Sequence, residues 1–236
     1  ASITPVIFFL YLIYNKDKIK EPLSLLSKCF FGGFLSIIIT ILIDTIINFI
    51  FSEPSDALGS SVYNAFFIAG LPEEFSKFII MYWLVWKSKD FDQHFDGIIY
   101  AVFVSMGFAL IENILYVSEG GLNVAFWRAI LAVPGHGFFA VIMGYYFSLA
   151  KFHKGKEANK FMLMALLMPA LFHGLYDFTL IYSGKNETNP ILAILLLLAF
   201  TLVVIQLWRV GLNHIKKHYQ KDLEDSSNVM NQNNAD

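Results

Sequence analysis

In 236 residues this chain carries 56% apolar and 17% aromatic side chains, only 15% charged ones, and a formal net charge of −2. That composition excludes a soluble domain of this length, and the scatter of its charges leaves no nucleic-acid footprint. The single cysteine, Cys29, lies in an apolar run, which excludes an intramolecular disulfide and a thiolate metal site.

About 20 apolar residues are needed to cross the hydrocarbon core, and the chain is read as an all-α membrane protein of seven transmembrane helices. In order they are Ser2 to Tyr14, Leu25 to Phe51, Ser61 to Trp86, Gly97 to Val117, Val124 to Lys151, Lys160 to Tyr182 and Ile191 to Leu212. The first is short and is read as truncated, with residues missing upstream. A cleaved signal peptide is the weaker reading, because no basic segment precedes that run. Brief polar connections join the spans, and the Ser/Asn/Asp-rich stretch from Asp225 is expected to be disordered. Residues 1–222 are thus taken as one membrane domain with a catalytic core at about 61–183, and 223–236 as a polar tail.

Fourteen of the 17 Lys and Arg residues fall on one side of this arrangement; Lys185 is on the other, Arg128 lies about one turn inside its span, and Lys77 is within the membrane. The positive-inside rule therefore puts the N-terminus outside and the tail in the cytoplasm.

A charged side chain at the bilayer centre costs roughly 3 kcal/mol, so ionisable groups deep in a span mark a working site. Four spans carry them: Leu71-Pro72-Glu73-Glu74-Phe75-Ser76-Lys77, Phe108 through Glu112-Asn113, Pro134-Gly135-His136-Gly137, and His173 through Asp177. At ~1.5 Å rise per residue all four lie between the midplane and the outer leaflet, so they can share one depth. Lys77 follows Glu73 by four residues and Glu74 by three, and Asp177 follows His173 by four, so each set lines one helical face. A Lys beside two carboxylates lets one Glu remain its ion-pair partner while the other takes a proton or binds a metal. An Asp one turn from a His orients the ring and leaves the other nitrogen for chemistry. Pro72, Pro134 and Pro169 each precede a member of this set, which suggests broken helices and watery surroundings at depth. Gly135 and Gly137 allow a neighbouring helix close to His136.

Other polar residues read more blandly. Asp44 and Asn48 suit structural hydrogen bonds within the second span, and Asp92, His94 and Asp96 look like solvated turn residues. Asn186-Glu187-Thr188 fits a glycosylation acceptor, which is without meaning in a bacterial protein.

Glu73-Glu74-x-x-Lys77, Phe108-x-x-x-Glu112-Asn113, His136 between glycines and His173-x-x-x-Asp177, with Lys16-Asp17-Lys18 and Glu21-Pro22 at the start, resemble the PrsW family of intramembrane proteases. That family lies within the larger group of type II CAAX prenyl endopeptidases and bacteriocin-immunity proteins. The resemblance implies site-one cleavage of a single-pass membrane substrate, typified by an anti-sigma factor, by a multi-pass protein of the bacterial plasma membrane. Against the CAAX-endopeptidase pattern, Lys77 follows the second Glu by three residues and not four, Glu112 replaces a His, and Asp177 replaces a common Asn.

Hydrolysis of a peptide bond needs an activated water and a stabilised oxyanion. Glu73 is taken as the base, Glu74 as the partner of Lys77, and Glu112, His136 and His173 as ligands of a divalent metal, zinc by preference, with Asp177 behind His173. In a metal-free version His136 and His173 would donate to the oxyanion. The competing readings are a proton- or ion-coupled transporter, which would show uptake without proteolysis, and a non-catalytic binding or immunity protein, whose motif set would be degraded.

Overall fold

An apolar chain in lipid must satisfy its backbone amides and carbonyls internally. The computed structural model, which describes residues 3–17, 19–186 and 190–233, does so with helices alone among those residues. They are α1 (Thr4–Lys16), α2 (Leu23–Ile50), α3 (Ala57–Val62), a π-helical segment π1 (Tyr63–Gly70), α4 (Leu71–Val85), α5 (Asp96–Trp127), a second π-helical segment π2 (Arg128–Ala132), α6 (Val133–Phe152), α7 (Gly155–Lys185) and α8 (Pro190–Asn233). Among the described residues four stretches are long and apolar enough to cross a membrane: Leu23–Ile50, Asp96–Phe152, Gly155–Lys185 and Ile194–Glu224. The run Ala57–Val85 is helical throughout but carries Glu73, Glu74 and Lys77.

The 57-residue stretch Asp96–Phe152 is a hairpin. Gly121 breaks α5 with φ 68° and ψ −157°, a conformation that only a residue without Cβ adopts easily. Residues equally far from that turn meet: Arg128 Nε donates to Asn113 Oδ1 at 2.6 Å, Ser105 Oγ donates to the His136 carbonyl at 3.0 Å, and Gly144 lies against Gly97. The two limbs are therefore antiparallel.

Similar contacts fix the other directions. α2 runs parallel to α5, with Glu21 beside Tyr100 and Gly33 against Val104 and Gly107. It runs antiparallel to α4, with Thr40 bonded to Ser76 and Asn48 to Tyr63. α7 is antiparallel to α3, π1 and α4, since Lys185 meets Ser60 while His173 meets Glu74. α8 follows α6 in parallel, Gly211 against Phe138 and His218 against Tyr145. The interior is apolar, with Met81, Ile98, Ile99, Met106, Ile142, Met143 and Phe147 fully enclosed, while Phe31, Leu35, Ile38, Leu42 and Phe49 of α2 point outward. Apolar residues face both ways, as expected where the outer solvent is lipid.

At the end opposite the Gly121 turn, two expectations change. Asp92 is exposed as expected, but His94 (5% exposed) and Asp96 (0%) are buried and not solvated. Asp96 accepts from the amides of Asp92 (3.0 Å) and Gln93 (2.6 Å), and Asp222 of α8 accepts from those of His94 (2.8 Å) and Phe95 (2.9 Å). These amides lie in the connection just before α5, where no helical carbonyl serves them, and the two carboxylates supply their acceptors. The second change is that α8 runs on to Asn233 where a disordered segment from Asp225 is expected. Its continuation past Leu212 carries Ile215, His218 and Asp222 at helical spacing, His218 onto α6 and Asp222 onto the connection before α5. Residues 234–236 and most of the Asn186-Glu187-Thr188 sequon lie outside the described residues.

Glu21, in the connection before α2, bonds the Tyr100 hydroxyl, and its carboxyl is pushed up to about 7, burial being the main cause. A carboxyl with a raised folded-state value stabilises the fold at low pH and loses that contribution as pH rises through about 7. The thermal midpoint in detergent should therefore fall between about pH 5 and about pH 8.5, and Glu21→Gln should flatten the fall. An unchanged slope in the variant would remove Glu21 from this role.

Candidate active site

Two of the four site segments begin at a proline. Pro72 and Pro134 are each the second residue of an α-helix that follows a π-helical segment, Tyr63–Gly70 and Arg128–Ala132 respectively. Proline offers no amide to the preceding turn, and the wider π turn lets the chain pass that gap. Glu73 adjoins Pro72 and His136 comes two residues after Pro134, so both side chains project where the helices change pitch. The approach of α7 depends on glycines: a Cβ on Gly70 would stand 2.9 Å from the Ala170 carbonyl, and one on Gly174 would stand 2.3 Å from the Phe66 ring. That close contact brings His173 to Glu74.

Lys77 is the hub. Its ammonium lies 2.8 Å from Glu74 Oε1, 3.2 Å from Glu73 Oε2 and 3.2 Å from His136 Nδ1, and 4.1 Å above the Phe108 ring. The two histidines are held alike. His136 Nε2 meets Glu112 Oε2 at 2.7 Å while its Nδ1 faces Lys77. His173 Nε2 meets Asp177 Oδ2 at 3.3 Å while its Nδ1 meets Glu74 Oε1 at 3.0 Å. Each ring thus has a carboxylate at Nε2 and turns Nδ1 to the centre, an arrangement assigned from the hydrogen-bond network. Phe139 stacks on His173 at 4.6 Å and meets His136 edge-on at 6.2 Å, which helps keep water from that side.

A cavity of about 310 Å³ opens on the cluster, lined by Glu73, Glu112, Arg128, His136, His173 and Asp177 among others. The two adjacent glutamates differ here. The Glu73 side chain is 12% exposed and lines the cavity, whereas the Glu74 side chain is 0% exposed and does not.

All seven residues picked out from the sequence come together. Their geometry departs from the expected metal set in one respect. The donor atoms of Glu73, Glu74, His136 and His173 lie within 4.8 Å of one another, the group that can hold a metal ion among the described residues. Glu112 instead sits at the outer nitrogen of His136 and pairs with Arg128 at 2.7 Å. Two carboxylates and two imidazoles suit a divalent metal, and Glu74 Oε2 is buried without a hydrogen-bond partner, as a waiting ligand atom would be. By chemistry and by that orphaned oxygen, the residues fit one. Arg128 was noted in the sequence only for its position near a span end; its partners lie 15 and 16 residues away across a turn, beyond the reach of helical spacing. Asn48 accepts from the Tyr63 hydroxyl at 3.0 Å, as a structural bond, while Asp44 Oδ1 is buried without a hydrogen-bond partner.

A carboxylate and imidazole cluster enclosed by apolar helices and open to a cavity has the groups an intramembrane hydrolase needs. The sequence profile of the PrsW family intramembrane metalloprotease matches residues 21–206, and the chain belongs to that family. Protease PrsW of Oceanobacillus iheyensis is 37% identical over 215 residues, covering 91% of this chain and 96% of the relative. Protease PrsW of Clostridioides difficile is 37% identical over 224 residues, with 92% and 89% covered, and that of Bacillus subtilis 35% over 218, with 92% and 93% covered. No solved structure matches the chain. The protein is an intramembrane protease, which sets aside the transporter and non-catalytic readings.

Proposed function

We propose that this protease cleaves a single-pass membrane protein of the anti-sigma factor type, near the outer face of a bacterial plasma membrane, with a water activated by Glu73. The observation that carries the assignment is the split between the glutamates: Glu73 alone of the pair reaches the cavity. There its carboxylate can take the proton of a water and return it to the leaving amine. Lys77 holds both carboxylates in place. Glu112 and Asp177, by accepting from the Nε2 side of His136 and His173, keep both Nδ1 atoms turned inward.

Glu74, His136 and His173 are the residues we assign to hold a divalent metal, zinc by preference, with Glu74 taking the place given to Glu112 from sequence. When bound there, the metal would polarise the scissile carbonyl and make the attacking water more acidic.

The alternating helix directions support seven spans, and the excess of Lys and Arg at one set of span ends supports the N-terminus outside and the C-terminus in the cytoplasm. On that reading the cavity, whose lining includes Asn64, Tyr116, Arg128 and Leu180, lies in the outer half. Purified protein in liposomes, given a panel of single-pass substrates, should produce fragments whose new termini map to the outer third of the substrate's span. Cuts confined to the cytoplasmic half would overturn the orientation.

A further inference from the structure

We infer that Arg128 is a positioning residue for the reaction: it clamps Glu112 against His136 and thereby fixes which nitrogen of His136 faces the reacting centre. The inference rests on the reading of this cluster as the active site. Arg128 stands on π2, one limb of the hairpin, and every partner of its guanidinium is on the other limb. Nη2 lies 2.7 Å from Glu112 Oε2, Nε donates to Asn113 Oδ1 at 2.6 Å, and the group lies 4.3 Å above the Tyr116 ring.

The oxygen of Glu112 that meets Arg128 is the same one that accepts from His136 Nε2 at 2.7 Å. Glu112 is 16% exposed at the edge of the cavity, and without a fixed cation its carboxylate has other places to turn: toward water, or toward the Lys77 ammonium that already serves Glu73 and Glu74. The contact of Nη2 with Glu112 is a close ion pair and not an aligned hydrogen bond, but the guanidinium is held in place by Asn113 and by the Tyr116 ring, an anchorage that a lysine's single flexible charge would not reproduce. With Glu112 pinned, the Nε2–H of His136 has one acceptor and its Nδ1 points at the Lys77 cluster. Loss of a carboxylate that orients a ligating histidine lowers metal affinity by about 10–100-fold. Arg128 makes no contact with the cluster except through Glu112, so its effect should travel through that one oxygen.

A double-mutant cycle tests this on the full chain purified in detergent. The wild type, R128Q, E112Q and the double variant are compared by zinc affinity, from competition with a chelator, and by kcat and KM on the panel member that the wild type cleaves fastest. R128Q should weaken zinc binding about 10-fold or more and lower kcat with little change in KM. In the E112Q background the same substitution should add less than about two-fold to either loss. R128K, which keeps the charge and loses the fork, should resemble R128Q and stands in for it if R128Q does not fold. Wild-type zinc affinity and kcat in R128Q, or an equal factor lost with and without the Glu112 carboxylate, would overturn the inference. A wild type that cleaves without binding zinc would sink the metal assignment and leave the rate cycle to decide Arg128. Wild-type cleavage by Glu73→Gln would sink the active-site reading itself.

Discussion

Replacing Glu73 by Gln is expected to lower the cleavage rate by ~10²–10⁴-fold, the range for loss of a positioned general base. The amide keeps the volume of the side chain and a hydrogen-bond acceptor for Lys77, which lies 3.2 Å away, so the variant should fold. What it loses is the ability to take a proton from water at the one carboxylate of the pair that reaches the cavity. Because Glu74, His136 and His173 are untouched, zinc content should stay near the wild-type value. Cleavage by Glu73→Gln at the wild-type rate would contradict both the base assignment and the reading of this cluster as the active site.

The second large effect is on stability. Lys77 is 1% exposed and pairs with two glutamates at 2.8 and 3.2 Å, Glu74 being completely enclosed. Removal of one partner from a buried ion pair leaves uncompensated charge and costs about 3–5 kcal/mol. Lys77→Met, similar in length and without charge, is therefore expected to lower the thermal midpoint in detergent by roughly 10 °C, at a few degrees per kcal/mol for a chain of this size. Adding Glu74→Gln should recover part of the loss, since it removes the charge left most deeply buried. If Lys77→Met melted like the wild type, the ammonium would not be what holds the two carboxylates together.

The sequence was informative about whatever repeats along one helix. Glu73, Glu74 and Lys77 share a face at spacings of three and four, His173 and Asp177 do likewise, and the structure keeps both sets intact. Deep burial of charge in an apolar chain also pointed to segments that the structure brings together. Cross-helix partners were not legible, because spacing says nothing about which face of one helix meets which face of another. Glu74 meets His173 and Glu112 meets His136 only through tertiary packing, and the second of these contacts sets Glu112 at the outer nitrogen of an imidazole, where spacing alone suggested a place among the metal ligands.

Arg128 is the clearest case. A lone arginine one turn inside a span reads as an interfacial charge until the Gly121 turn folds it onto Glu112 and Asn113. The π-helical segments were half legible: Pro72 and Pro134 signalled broken helices, but not that the break takes the form of a widened turn. His94 was misjudged as solvated because the element that covers it, the extension of α8 with His218 and Asp222, is polar in composition and looked like a tail, and Asp96 because its carboxylate turns inward to the amides of its own connection.

Metal dependence is the point at which the account is most directly exposed. Protein reconstituted in liposomes with a cleavable single-pass substrate should lose activity in a chelator and regain it when zinc is added back, with about one metal ion bound per chain. Full activity after the metal has been stripped, with none detected in the protein, would contradict the metal site built from Glu74, His136 and His173.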